Sequence, residues 1–161
     1  MAKKKVKPVP KGYGTVQVSL NLSDARGAIE FMKKAFGGKL RAMMPGQDGK
    51  IMHAEVKIGD SLVLLSDSVQ EPPRPANLFM YVPSVDKTFA KAVKAGAKVI
   101  MPVSDMFWGD RWGRLEDAYG NRWSIATHVE DVSPKQMKKR AAEEAKKQGK
   151  PVEPSKESKK K

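Results

Sequence analysis

The sequence predicts an α+β chain: two tandem βαβββ modules forming a curved, cup-shaped mixed sheet, followed by a charged C-terminal helix and tail. Three observations predict it. Residues 16–66 read strand, helix and three short strands, and residues 77–127 repeat that order. The punctuation repeats too: Phe36-Gly37-Gly38 leads to Pro45, and Lys94-Ala95-Gly96 leads to Pro102. The helix-end glycines lie 58 residues apart, the prolines 57, and the hairpin glycines Gly59 and Gly120 61. One copy alone would leave a sheet face and its edges bare, so two copies are expected to close a cup around a cleft.

Each element has its own signal. Thr15–Leu22 alternates, with Val16, Val18, Leu20 and Leu22 on one face and Gln17, Ser19 and Asn21 on the other, as in a half-buried strand. Ser23-Asp24 offers a helix N-cap, Ala28, Ile29, Met32, Ala35 and Phe36 follow at helical spacing, and Gly37-Gly38 stops the helix. Leu40–Met44 is a short strand, and Asp48-Gly49 is a hairpin turn. Ile51–Ile58 alternates again, placing His53, Glu55 and Lys57 together, and Ser61–Ser66 is a fourth strand. Pro72, Pro73 and Pro75 mark a linker. The second copy opens with the strand Asn77–Val82 and a helix capped by Asp86 that runs to about Ala95. Ala97–Val103 is extended, and Ser104–Gly113 reads as a loop holding Trp108, Arg111 and Trp112. Arg114–Asp117 and Arg122–Thr127 flank the last hairpin. Ser133-Pro134 and Gln136 supply the start of a charged helix to about Gln148, and a disordered tail is expected from Gly149.

These signals divide the chain into a basic N-terminal arm (1–12), a domain (13–131) and a basic C-terminal helix and tail (132–161). Within the domain, module one is 15–67, the linker 68–76 and module two 77–130. The net charge of +13 sits at the ends. Residues 1–11 carry +5 and residues 135–161 carry +7, which leaves +1 for residues 12–134. Such tails suit weak, non-specific contact with nucleic acid, or simple solvation. The absence of cysteine excludes disulfides, thiolate catalysis and Cys-ligated metals. No apolar run nears the roughly 18 residues of a membrane span, and Met-Ala-Lys-Lys-Lys shows no secretory signal, so a cytoplasmic protein without membrane contact is expected.

Four stretches carry a resemblance: Lys50-Ile-Met-His-Ala-Glu55, Phe107-Trp-Gly-Asp-Arg111, Leu115-Glu-Asp-Ala-Tyr-Gly120 and Trp123-Ser-Ile-Ala-Thr-His-Val-Glu-Asp131. On these, the chain resembles the vicinal oxygen chelate (glyoxalase, bleomycin-resistance and dioxygenase) superfamily, and more narrowly its PhnB-like branch. The resemblance implies a homodimer. It also implies a divalent-metal site on the first and fourth strands of each module, where a metal could hold two adjacent substrate oxygens. Those positions fall on Gln17 and Leu64, then Asn77 and Ser124. Leucine cannot ligate, and Asn and Ser are weak neutral ligands, so no metal and no cofactor is expected. A His53/Glu55/His128 metal site is a minor alternative with no motif behind it.

The strand faces away from the apolar stripes mix polar and aromatic residues, as ligand cavities do. The candidate ligand-binding residues are Gln17, Ser19, His53, Glu55, Phe79, Tyr81, Trp108, Arg111 and Ser124. His53 and Glu55 are also the candidate acid–base pair, against a plain hydrogen-bonded His–Glu contact. Trp108 and Arg111 make a lip for an anionic or planar ligand, unless the tryptophans cover core and Arg111 pairs with Asp110 or Glu116. The leading expectation is therefore metal-independent binding of a small organic molecule in the cup. A small-molecule lyase, isomerase or dioxygenase using His53 and Glu55 is one alternative, and tail-mediated nucleic-acid or partner binding is another.

Overall fold

A computed structural model describes residues 7–46 and 48–148; the expected disordered tail from Gly149 and the start of the basic arm lie outside them. Module one contains β1 (Val18–Leu22), α1 (Ala25–Phe36), β2 (Lys39–Pro45), β3 (Ile51–Ile58) and β4 (Ser61–Asp67). Module two contains β5 (Asn77–Tyr81), α2 (Val85–Lys94), β6 (Lys98–Asp105), β7 (Asp110–Glu116) and β8 (Arg122–His128). The helix α3 (Pro134–Gln148) follows. Each module forms a four-stranded mixed sheet, in the order β1-β4-β3-β2 and β5-β8-β7-β6. The first pair in each is parallel and the others antiparallel. The α+β class and the tandem βαβββ order are as the sequence predicts.

One face of each sheet is covered by its helix. Leu20, Leu22, Val63 and Leu65 pack under Ala28, Ile29 and Met32 of α1; Leu115, Trp123 and Ile125 pack under Val85, Phe89 and Ala92 of α2. The modules meet where α1 lies against α2. Phe36 at the end of α1 stacks on Trp123 of β8 with centroids 4.6 Å apart. Among the described residues the sheets are not hydrogen-bonded to one another, so each keeps two unpaired edges, and the face away from its helix is the open face.

The repeat extends to its fastenings. At the end of β4, Asp67 accepts from the backbone N–H of Ala25 (2.7 Å) and Ile51 (2.6 Å), tying the start of α1 to the sheet. At the matching end of β8, the Thr127 hydroxyl accepts from Val85 N–H (2.7 Å) and donates to the Val82 carbonyl (2.8 Å). The β7–β8 turn closes on Asp117, a buried carboxylate that accepts from Trp123 Nε1 and from the backbone and side-chain amides of Asn121.

Three local expectations need correction. The first strand begins at Val18, not Thr15, and Val16 is 86% exposed, so only Leu20 and Leu22 of the proposed stripe reach the core. Helix α2 is capped by Ser84, whose hydroxyl accepts from Lys87 N–H (3.4 Å); Asp86 lies inside the first turn. The stretch 104–113 is mostly strand, because β6 runs to Asp105 and β7 starts at Asp110. Helix α3 does start on the expected capping box, with Ser133 and Gln136 bonding reciprocally at 3.4 and 3.1 Å.

Candidate ligand-binding site

Strand pairing fixes what shares the open face of module two. Phe79 registers with Ser124 and Ser124 with Arg114. Tyr81 registers with Ala126, and Ala126 with Trp112; Asp110 registers with His128. Side chains of paired strand residues point to the same side. Phe79, Tyr81, Ser124, Arg114, Trp112, Asp110 and His128 therefore share one surface, opposite the buried Leu115, Trp123 and Ile125. Phe79 and Tyr81 stand out from it, 54% and 62% exposed, with ring centroids 5.2 Å apart.

Asp110 organises one end of this surface. Its buried carboxylate accepts from Tyr81 Oη (2.9 Å), Trp108 Nε1 (3.0 Å) and His128 Nδ1 (2.8 Å). Burial alone would raise its pKa, but the hydrogen bonds from His128, Tyr81 and Trp108 outweigh burial and hold it below the ordinary carboxylate value. His128 also meets Asp131 through Nε2 (2.9 Å), and these two carboxylates, Asp110 first, raise its pKa. Trp108 therefore props this cluster through its N–H, with its ring against Phe107 and Trp112.

Arg111 is not on this face. It lies on the helix side of β7 and is held by Asp86 on α2 (2.8 and 2.9 Å) and Asp105 on β6 (3.0 Å). Its charge is spent on fastening α2 to the sheet edge. Two arginines of module two share the open face by register: Arg122, paired with Glu116 at 3.3 Å, and Arg114. Arg114 Nε donates to Ser124 Oγ (3.2 Å), and its guanidinium lies 5.2 Å from the Trp112 ring centroid. Sequence reasoning missed Arg114 because it started the strand there; the alternation that buries Leu115 would have placed Arg114 opposite the core.

On module one, Ser19, Leu64, Glu55 and Ala42 form the corresponding row across the open face. The N-terminal arm lies over it. Tyr13 donates its hydroxyl to the buried Glu55, Arg41 Nε approaches the same carboxylate at 3.6 Å, and the Arg41 guanidinium sits 5.1 Å from the Tyr13 ring centroid. His53 Nε2 lies 3.3 Å from Glu55 Oε1. Tyr13 foremost, with His53 and Arg41, holds the Glu55 pKa below its ordinary value despite burial. The His53–Glu55 pair expected from the sequence is present, but Tyr13 and Arg41 complete it. Gln17 lies outside β1 and donates to the Gly14 carbonyl (3.1 Å), turned onto the arm instead of the sheet.

The donor set does not fit the metal that the resemblance implies. Gln17 is engaged by the arm and Leu64 has no donor atom. At Ser124, Arg114 already donates to the hydroxyl, which puts a fixed positive charge where a metal cation would have to sit. Among the described residues no three His, Asp or Glu side chains cluster with metal-binding geometry, and this includes the His53/Glu55/His128 grouping. A separate groove of about 660 Å³ runs between the modules, lined by Val18, Phe36, Ile58, Leu62, Phe79, Tyr81 and Lys91 among others. It touches Phe79 and Tyr81 but not Arg114, Trp112 or Glu55.

Known proteins agree with this architecture. The family model of the Glyoxalase/Bleomycin resistance protein/Dioxygenase superfamily matches residues 14–125. An uncharacterized protein of Mycobacterium tuberculosis is 34% identical over 126 residues, covering 71% of this chain and 74% of its own length. TioX from Micromonospora sp. ML1 superposes with a TM-score of 0.62 at 26% identity, over 72% of this chain and all of its own. The PhnB protein from Bacillus cereus superposes with a TM-score of 0.56 over 71% of this chain and 99% of its own; at 17% identity that likeness concerns the fold alone. The duplicated βαβββ order and the match over most of the chain agree: the chain belongs to the Glyoxalase/Bleomycin resistance protein/Dioxygenase superfamily.

Proposed function

We propose that this protein binds a small organic molecule on its open sheet faces, in a cup completed by a second copy of the chain, without a divalent metal. The observation that carries the reading is the open face of module two. It combines exposed aromatic rings at Phe79 and Tyr81 with Arg114, Ser124 and the Asp110 cluster. Rings supply apolar area, and a few fixed polar groups supply orientation. The homodimer is supported by the unpaired edge strands β1, β2, β5 and β6 and by the groove that β1 and β5 flank. A PhnB-like and cytoplasmic assignment belongs to the same reading; the absence of cysteine suits a reducing compartment. Acid–base chemistry by His53 and Glu55 has less behind it, because Tyr13 and Arg41 already occupy the carboxylate.

The test is a thermal-shift screen of a metabolite and antibiotic library against the full chain in EDTA, repeated on Phe79→Ala. Stabilising compounds are expected without metal, with their shifts reduced or lost in the variant. Compounds that stabilise only when Zn, Ni or Mn is added, or equally well in the variant, would remove the basis for the reading.

A further inference from the structure

We propose that Arg114, Trp112 and Ser124 form an anion subsite that takes the carboxylate of the bound molecule while its flat apolar body lies against Phe79 and Tyr81. The proposal rests on the ligand-binding reading above and names the chemical class of the ligand.

The first support is the state of Arg114. The chain has two other half-buried arginines among the described residues, Arg111 and Arg140. Each is bonded to carboxylates: Arg111 to Asp86 and Asp105, Arg140 to Glu130 at 2.7 and 2.8 Å. Arg114 alone of the three has no acid partner among the described residues; only its Nε is used, by Ser124. The remaining N–H groups of its planar fork match the two oxygens of a carboxylate. A half-buried guanidinium gains more from such a partner than a fully solvated one.

The second support is independent. Trp112 is 6% exposed, and its indole N–H is buried with no acceptor; among the described residues it is the buried side-chain polar atom left without a partner. Buried donors in folded proteins are nearly always satisfied, so an orphan N–H on a ring whose centroid lies 5.2 Å from the Arg114 guanidinium marks a place where an acceptor is missing. The Ser124 hydroxyl accepts from Arg114 and keeps its own proton to donate. All the free groups of this triad are donors, which selects an anion and rejects a cation. Phe79, paired with Ser124 in the sheet, and Tyr81, paired with Ala126, supply adjacent aromatic surface.

The experiment is a ¹⁵N NMR titration of the full chain in EDTA with benzoate and with benzamide, its neutral near-isostere. The Trp112 Nε1–H and Arg114 Nε–H resonances are the readouts. Benzoate is expected to shift both saturably, and benzamide to bind at least about tenfold more weakly, the usual weight of a charge-assisted pair. In Arg114→Gln, benzoate is expected to fall to the level of benzamide, and Arg114→Lys to restore part of the difference. Unchanged thermal midpoints would show that the variants remain folded. Equal binding of the two probes, or benzoate affinity that survives Arg114→Gln, overturns the anion subsite. So does an absence of response at Trp112 and Arg114. If the probes move only residues around Phe79 and Tyr81, the subsite falls while the cup reading stands. The library screen in EDTA decides the cup reading separately.

Discussion

Two arginines three residues apart show how strand parity assigns roles. Arg111 faces α2 and is consumed by two aspartates; Arg114 faces the open side and is left with a serine and a tryptophan. Arg111 sits between Gly109 and Gly113 in a stretch that reads as a loop because glycines punctuate turns, and Arg114 follows directly after it. Gly113 is instead a strand residue where α2 comes close: a Cβ there would meet the Phe89 ring at 2.7 Å. That close approach depends on tertiary packing, so the residue string gave no sign of it. His53, Glu55, Phe79, Tyr81 and Ser124 were legible, since simple alternation placed them. Asp110 was missed as an organiser because its partners come from three other segments. His128 supports a prediction at this scale. Asp110 and Asp131 raise its pKa, and a raised folded-state value gives stability that is complete below the unfolded value of about 6.5 and is lost as pH rises through the folded value. The thermal midpoint of the wild type is therefore expected to lose more between about pH 6 and 8 than that of His128→Gln, at equal ionic strength. Parallel curves would contradict this.

At the scale of elements, the two modules solve one problem with different chemistry. Each must fix the start of its helix to the far end of its fourth strand. Asp67 does so with a carboxylate that accepts from Ala25 and Ile51, and Thr127 does so with a hydroxyl that bridges Val82 and Val85. Removing Asp67 strands two backbone donors, one of them at the start of α1. Asp67→Ala is expected to cost about 1–3 kcal/mol and Thr127→Val about 1 kcal/mol in urea unfolding at neutral pH, each cost being that of a lost hydrogen bond with its partner left buried. Equal, negligible losses would show that these ties are not structural. The element order was readable because the helix-end glycines and hairpin turns repeat at nearly constant spacing. The boundaries were less so: the arm draws Gln17 and Val16 off the first strand, and Ser84 takes the cap expected of Asp86.

For the whole molecule, duplication gives two sheets whose helix-covered faces join through α1 and α2 and whose other faces stay open. The two copies differ chemically at matching positions of their open faces. The position that holds Glu55 in the first module's row, beside Leu64, holds Arg114 beside Ser124 in the second. Where the resemblance implies a metal cation, Ser124 here meets a guanidinium. On the proposed reading, the Arg114 guanidinium beside Ser124 opposes a metal cation there and leaves the face to an organic ligand. The most direct measurement is a titration of Mn²⁺ into the ¹⁵N-labelled full chain, followed by the line broadening that a bound paramagnetic ion causes nearby. No saturable broadening centred on Gln17, Leu64, Asn77 and Ser124 is expected at stoichiometric Mn²⁺, with the Arg114 Nε–H signal unmoved. Selective broadening at those four positions, with displacement of the Arg114 signal, would contradict it.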